Sequence, residues 1–173
     1  YKSKSILEIM CSVLLFSFIF CYGALSWVSI WYIYLVDVFA KYLFLLFVIV
    51  WFSDTGAYFI GTATKKRIQL APLLSPNKSW QGAFGGVISA MLGAYLYCYF
   101  VGIFTACSLL PILIGLCCSV AGIFGDLFES ALKRFAGVKD SGTLFPGHGG
   151  LIDRVDSILF AAPVLYIFIL FFS

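Results

Sequence analysis

The chain has 173 residues, of which 62% are apolar and only 11% charged, with a mean hydropathy of +1.05 and a net charge of +3. A soluble domain carries about 25% charged residues, so a water-soluble globular fold, a disordered chain and a nucleic-acid-binding module are excluded. What remains is an all-α fold, a polytopic membrane helix bundle with about five transmembrane helices.

Ile9 to Val36 is uncharged for 28 residues, and Trp27, Trp31, Tyr32 and Tyr34 gather towards its end. This pattern predicts a first span near residues 7–27, followed by an interfacial aromatic stretch. A second span is expected from about Tyr42 to Gly61, with Asp54 its one charge. Ser79 to Gly125 then runs 47 residues without a charge. At ~1.5 Å per residue that is ~70 Å of helix, two crossings of a ~30 Å hydrocarbon core. The third and fourth spans are therefore placed near 83–104 and 109–132, with a turn around Cys107–Pro111. A fifth is expected from about Ser157 to Phe172. Gly82, Gly85, Gly86 and Gly93 open the third span with small residues at helical spacings, which favours close helix packing.

Ten of the eleven basic residues fall on one side of this arrangement. Lys2 and Lys4 precede the first span; Lys65, Lys66, Arg67 and Lys78 follow the second; Lys133, Arg134, Lys139 and Arg154 follow the fourth. The positive-inside rule places the loops of about 62–82 and 133–154 in the cytoplasm, in an inner or plasma membrane. The six cysteines all sit in apolar runs without metal-ligand spacing and read as buried free thiols. Beginning at Tyr1 with no evident secretory signal, residues 1–173 read as one integral membrane domain, the C-terminal portion of a longer chain.

Nine of the nineteen charged residues, and the only histidine, lie between Asp126 and Asp156. Asp126, Glu129, Ser130 and Lys133 form a polar stripe at i, i+3, i+4 and i+7 of the fourth helix. An acid in mid-membrane costs at least ~2.5–3.5 kcal/mol, so it faces a partner or a polar cavity. Asp54, with Tyr58 one turn on, belongs to the same class. The segment from Ser130 to Ser157 is polar and glycine-rich between two apolar helices. Gly142, Gly147, Gly149 and Gly150 let a backbone approach an anionic ligand, and Lys133, Arg134, Lys139 and Arg154 supply positive charge.

Asp153 and Asp156 lie one turn apart at the start of the fifth span and, with Asp126, could build a carboxylate site for Mg²⁺. His148 is favoured as a phosphate contact or a loop-ordering residue over an acid or base. In the other loop, Ser75-Pro76 predicts a turn and the polar run after it a helix start, with Lys78 a candidate for phosphate. Lys65, Lys66 and Arg67 suit anionic headgroups. Gly56 to Gly61 has the spacing of a phosphate loop, but Thr62 stands where lysine is needed, and the reading is rejected. Acids, bases and a glycine loop beside a membrane fit metal-assisted phosphoryl or nucleotidyl transfer.

These residues together resemble a known family. The run Ser130-x-x-Lys133-Arg134, Lys139-Asp140-x-Gly142, Pro146-x-His148-Gly149-Gly150-x-x-Asp153-Arg154-x-Asp156 is similar to that of the phosphatidate cytidylyltransferases, or CDP-diacylglycerol synthases. The likeness extends to Ser53–Tyr58, Ser75–Gly82 and Gly125–Ser130, with Gln81 standing where the family usually has Glu. The resemblance implies a membrane enzyme converting CTP and phosphatidate to CDP-diacylglycerol and pyrophosphate with Mg²⁺, a second cation being left open. It implies Asp126 and Asp153 as the metal-binding acids, and the segment from Lys133 to Asp156 as part of the nucleotide and phosphate site. Lys133, Arg134 and Lys139 are the expected catalytic cations. Asp54, Ser75, Lys78, Ser130, Asp140, Gly142, His148, Gly149, Gly150, Arg154 and Asp156 are expected to line the substrates. The expected partners are CTP, phosphatidate and the bilayer, with homo-oligomerisation left open. Two other readings are a CTP-dependent lipid-alcohol kinase, and a non-enzymatic transporter or lipid-binding subunit using its intramembrane acids as a relay.

Overall fold

The structure is a computed structural model that describes residues 6–36, 40–104, 109–138, 141–142, 150 and 152–172, giving the backbone alone for 6–11 and 154. Its elements run α1 (Ile6–Val36), α2 (Lys41–Ala63), β1 (Gln69–Ala71), β2 (Ser75–Ser79), α3 (Trp80–Val101), α4 (Leu110–Phe135) and α5 (Ile152–Phe172). Among the described residues, all five helices are long and apolar enough to cross a membrane. In hydrocarbon every backbone polar group needs a partner within its own segment, and the helix supplies one.

The helix bounds differ from the expected ones for local reasons. Helix α1 does not stop near residue 27: no proline interrupts it, and it continues through Trp27, Trp31 and Tyr34, which point outward. Helix α3 starts at Trp80 because extended Ser79 (φ −123°) caps it, its hydroxyl accepting from the Gly82 N–H at 3.1 Å. Helix α4 continues to Phe135, and its last turn holds Lys133 and Arg134, cations that suit a helix C-terminus. Helix α5 begins at Ile152, ahead of the expected Ser157, and so takes Asp153 and Asp156 onto its first turns. The expected turn around Cys107–Pro111 falls partly outside the described residues.

The segment between α2 and α3 forms an antiparallel hairpin that the sequence reading did not anticipate. Gln69 pairs with Ser79 and Ala71 with Ser75, with an irregularity between them. Both strands are edges, so Pro76 within β2 costs no ladder position.

Helices α2 and α3 pack most extensively, followed by α4 on α5 and α3 on α4, while α1 lies outermost against α5. Leu45, Leu46 and Ile49 of α2, Ala90 and Ala94 of α3, Ile114 and Cys118 of α4, and Leu165 of α5 are fully buried. The glycine face of α3 does what its spacing predicts: a Cβ on Gly86 would stand 2.7 Å from the Ser53 carbonyl oxygen, so α2 can lie this close only to a glycine. Outward-facing Phe20, Phe100 and Phe171 are almost wholly exposed, as lipid-facing side chains are.

Two further details fix α1 and α5. Pro163 sits inside α5 and has no N–H to offer the Leu159 carbonyl one turn before it. The Tyr22 hydroxyl of α1 donates to that carbonyl at 3.3 Å, and its ring packs on Phe160 with centroids 4.1 Å apart. Cys21, Cys98, Cys117 and Cys118 are free thiols, of which Cys98 and Cys118 are buried and Cys21 is exposed. The side chain of Cys11 and all of Cys107 lie outside the described residues.

Candidate active site

The stripe on α4 converges with residues from α2, α3, α5 and the hairpin at one end of the bundle. A cavity of about 480 Å³ opens there, with Asp54 and Tyr58 from α2, Lys78 from β2 and Asp126 from α4 in its wall. Residues of α3 and α5, such as Gly82 and Ser157, complete it. The hairpin carries Lys78 to Asp126, with which it forms an ion pair. Arg134 holds the hairpin from the other side, its Nε donating to the Leu74 carbonyl at 3.3 Å. Arg67 lines the cavity as well, whereas its sequence context had grouped it with headgroup-facing lysines.

Beside the cavity, Asp126, Glu129 and Asp156 each bring a carboxylate oxygen within 4.8 Å of the others. Their approach depends on Gly125: a Cβ there would lie 2.6 Å from the Asp156 carbonyl oxygen, so α4 and α5 meet closely at this level. Glu129 is buried, and its Oε1 has no hydrogen-bond partner among the described residues. A buried carboxylate oxygen without a donor is costly unless something positive completes it. Three oxygen donors with one left open fit a hard divalent cation, so this group can hold one.

Lys133 and Asp153 organise the neighbourhood. The Lys133 ammonium bonds Glu129 Oε2 at 2.9 Å and Asp153 Oδ1 at 2.6 Å. Asp153 Oδ2 accepts from Ser141 N–H at 3.0 Å, Ser141 Oγ at 2.8 Å and Gly150 N–H at 2.8 Å. Burial acts to raise the Asp153 carboxyl, but the Lys133 ammonium, the Gly150 amide and the Ser141 hydroxyl outweigh it and hold the group well below the usual carboxylate range. Both oxygens of Asp153 thus accept hydrogen bonds, and the described acids whose carboxylate oxygens gather with Asp126 are Glu129 and Asp156. Glu129 belongs to the stripe in the sequence, and its i, i+3 relation to Asp126 is the signal that marks it as a member of the acid group.

The other expected residues fall as follows. Ser130 is buried on the face that carries Glu129. Asp156 accepts from the Ser157 N–H at 2.6 Å. Ser75 sits in β2 opposite Ala71, outside the cavity wall. Gly142 lies against Gly150, a Cβ on it standing 3.7 Å from the Gly150 Cα. Lys139, Asp140, His148, Gly149 and the side chain of Arg154 lie outside the described residues.

Comparison with known proteins matches residues 2–172 to the cytidylyltransferase family. A Staphylococcus epidermidis protein named phosphatidate cytidylyltransferase is 40% identical over 154 residues, covering 87% of this chain and 58% of its own length. Proteins of the same name from Bacillus subtilis and Haemophilus influenzae are 46% and 44% identical, covering 76% and 75% of this chain and 48% and 46% of their own. The chain thus spans about half the length of the curated relatives it matches. A membrane bundle whose Asp54, Asp126, Lys78 and Gly82 line one cavity, and whose sequence matches the family model almost from end to end, belongs to the cytidylyltransferase family.

Proposed function

We infer that this chain forms the membrane-embedded catalytic part of a phosphatidate cytidylyltransferase, which transfers CMP from CTP to phosphatidate and releases pyrophosphate. The observation that carries this reading is the acid group of Asp126, Glu129 and Asp156 beside a cavity enclosed by apolar helices. A reaction between a water-soluble triphosphate and a lipid phosphate needs such a junction of charged and apolar surface.

A phosphatidate oxygen attacks the α-phosphorus of CTP, the bond from that phosphorus to its bridging oxygen breaks, and pyrophosphate leaves with the electron pair. A phosphate monoester has a second pKa of about 6, so near neutral pH the nucleophile is already an anion and no side chain need remove a proton. What the site must supply is alignment and neutralisation of charge. Asp126, Glu129 and Asp156 would hold a divalent cation, Mg²⁺ in our reading, which when bound would offset phosphate charge in the transition state. Asp153, the other acid that the family resemblance implies as a ligand, bonds Lys133 and the Ser141–Gly150 backbone, and in our reading shapes the site from there. Lys78, Lys133, Arg134, Lys139 and Arg154 contribute positive charge, and Asp54 lines the cavity. Charge asymmetry of the loops directs this end to the cytoplasm. The acyl chains enter sideways from the bilayer.

The test is CMP transfer from labelled CTP to phosphatidate by the full-length protein, with pyrophosphate and a CDP-lipid as the products. Turnover equal to wild type in Asp126→Asn would remove the acid assignment, and CDP with a phospholipid as products would replace transfer by a kinase reaction.

A further inference from the structure

Two hydrogen bonds bracket Arg67. Gln81, in the first turn of α3, accepts from the Ile68 N–H through Oε1 at 3.1 Å and donates through Nε2 to the Lys66 carbonyl at 3.2 Å. The neighbouring Trp80 N–H donates to the Ile68 carbonyl at 2.9 Å. Residues 66 and 68 are thereby pinned to the end of α3, and the residue between them lines the cavity. The side-chain amide serves both partners at once, whereas a carboxylate accepts but cannot donate, and an apolar side chain does neither.

The Arg67 guanidinium is exposed, and its one hydrogen bond among the described residues runs from Nη2 to the Thr62 carbonyl at 3.4 Å. A guanidinium carries five N–H donors in a planar fork, so most of its capacity remains for a ligand. The other cation in the cavity wall, Lys78, is committed to Asp126. Lys65 and Lys66 lie next to Arg67 in sequence but not in that wall. A free planar cation at the rim of a site built for phosphates matches the bidentate geometry of a phosphate group.

We propose that Arg67 recognises a substrate phosphate at the rim of the cavity and that Gln81 is its positioning residue. The proposal rests on the reading of the site as a nucleotidyltransferase and deepens it. The shared chemistry is a phosphate group, carried either by the nucleotide or by the lipid headgroup, and steady-state kinetics separates the two.

In the full-length protein, Arg67→Ala should raise the KM of one substrate by about tenfold or more, the worth of a charge-assisted hydrogen bond, while kcat changes little. A shift in the KM of CTP assigns Arg67 to the nucleotide, and a shift in that of phosphatidate assigns it to the lipid. Arg67→Lys keeps the charge without the fork and should fall between wild type and the alanine variant. Gln81→Leu should raise the same KM, and the double variant should be no worse than Arg67→Ala alone, since Gln81 acts through Arg67. Lys65→Ala should leave both constants unchanged. Unaltered KM values in both Arg67 variants would overturn the proposal, and full additivity in the double variant would overturn the positioning role.

Should the wild-type protein not transfer CMP at all, the reaction reading fails and the anion site is judged by binding. Thermal stabilisation by pyrophosphate or short-chain phosphatidate that Arg67→Ala and Arg67→Lys weaken upholds the site. Equal stabilisation in all three proteins, or none, overturns it.

Discussion

Lys78 of β2 is ion-paired with Asp126 of α4, so a hairpin strand places its charge on the acid group of a membrane helix. The ammonium occupies the carboxylate that a divalent cation would also use. Lys78→Met should therefore tighten binding of Mn²⁺, measured by electron paramagnetic resonance, while CMP transfer falls by about tenfold or more because phosphate charge is less offset. Weaker Mn²⁺ binding would mean that Lys78 supports the acid group instead of competing for it.

Glu129→Gln replaces a carboxylate that faces Lys133 and leaves one oxygen without a donor. Loss of a ligand or of its support commonly costs about 10–100-fold in metal affinity or activity. The expected outcome is a Mg²⁺ requirement shifted upward by that order, with the far-ultraviolet circular dichroism unchanged. A Mg²⁺ titration coincident with wild type would exclude Glu129 from the cation site.

Asp153 binds Lys133, Ser141 and Gly150, and these contacts depress its pKa. A depressed carboxyl contributes stability that is present above its unfolded value, about 3.9, and is lost as pH falls through the lower folded value. The melting temperature of Asp153→Asn in detergent should thus lie below wild type by a constant interval from pH 7 to about 5, and the interval should narrow below about pH 4. A gap that widens on acidification would reverse the sign of the coupling.

Gly125→Ala sets a methyl group against the Asp156 carbonyl, where 2.6 Å is available. Overpacking of this kind costs about 1–3 kcal/mol. Because α4 and α5 must separate where Asp126 and Asp156 meet, activity should fall with stability. Gly86→Ala, with 2.7 Å to the Ser53 carbonyl, should also lower the melting temperature, by forcing α2 and α3 apart. Melting curves and turnover measured on the same preparations check both.

Tyr22→Phe removes the donor to the carbonyl that Pro163 leaves open, at an expected cost of about 0.6–1.7 kcal/mol for an interhelical hydrogen bond in a membrane. Turnover should be preserved at temperatures where the variant is folded. A melting temperature equal to wild type would show that water or lipid replaces the hydroxyl.

The five helices were legible because hydrocarbon imposes one solution on long apolar runs. Their ends were less so: Ser79 caps α3 through a side-chain contact, and Asp153 at the start of α5 is held by Lys133 and Ser141 from well upstream as well as by nearby Gly150. The hairpin escaped because β1 has three residues and no alternating pattern. The stripe from Asp126 to Lys133 was legible as a helical face. Asp156 was legible beside Asp126 as a candidate for one carboxylate site, but that Glu129 joins them was not, since that depends on which neighbours meet across the bundle. Arg67 likewise looked like its neighbouring lysines until the Gln81 amide fixed the backbone around it.

The placement of α1 carries a consequence for biosynthesis. Tyr22 meets Leu159 and Phe160, Tyr32 packs edge-to-face on Tyr166, and Phe18 touches Phe128, so the principal docking partners of α1 are made long after it. On emerging from the translocation machinery, α1 therefore stands in lipid with its aromatic face incompletely filled until α4 and then α5 arrive. Assembly closes backwards, the last helix calling in an early one.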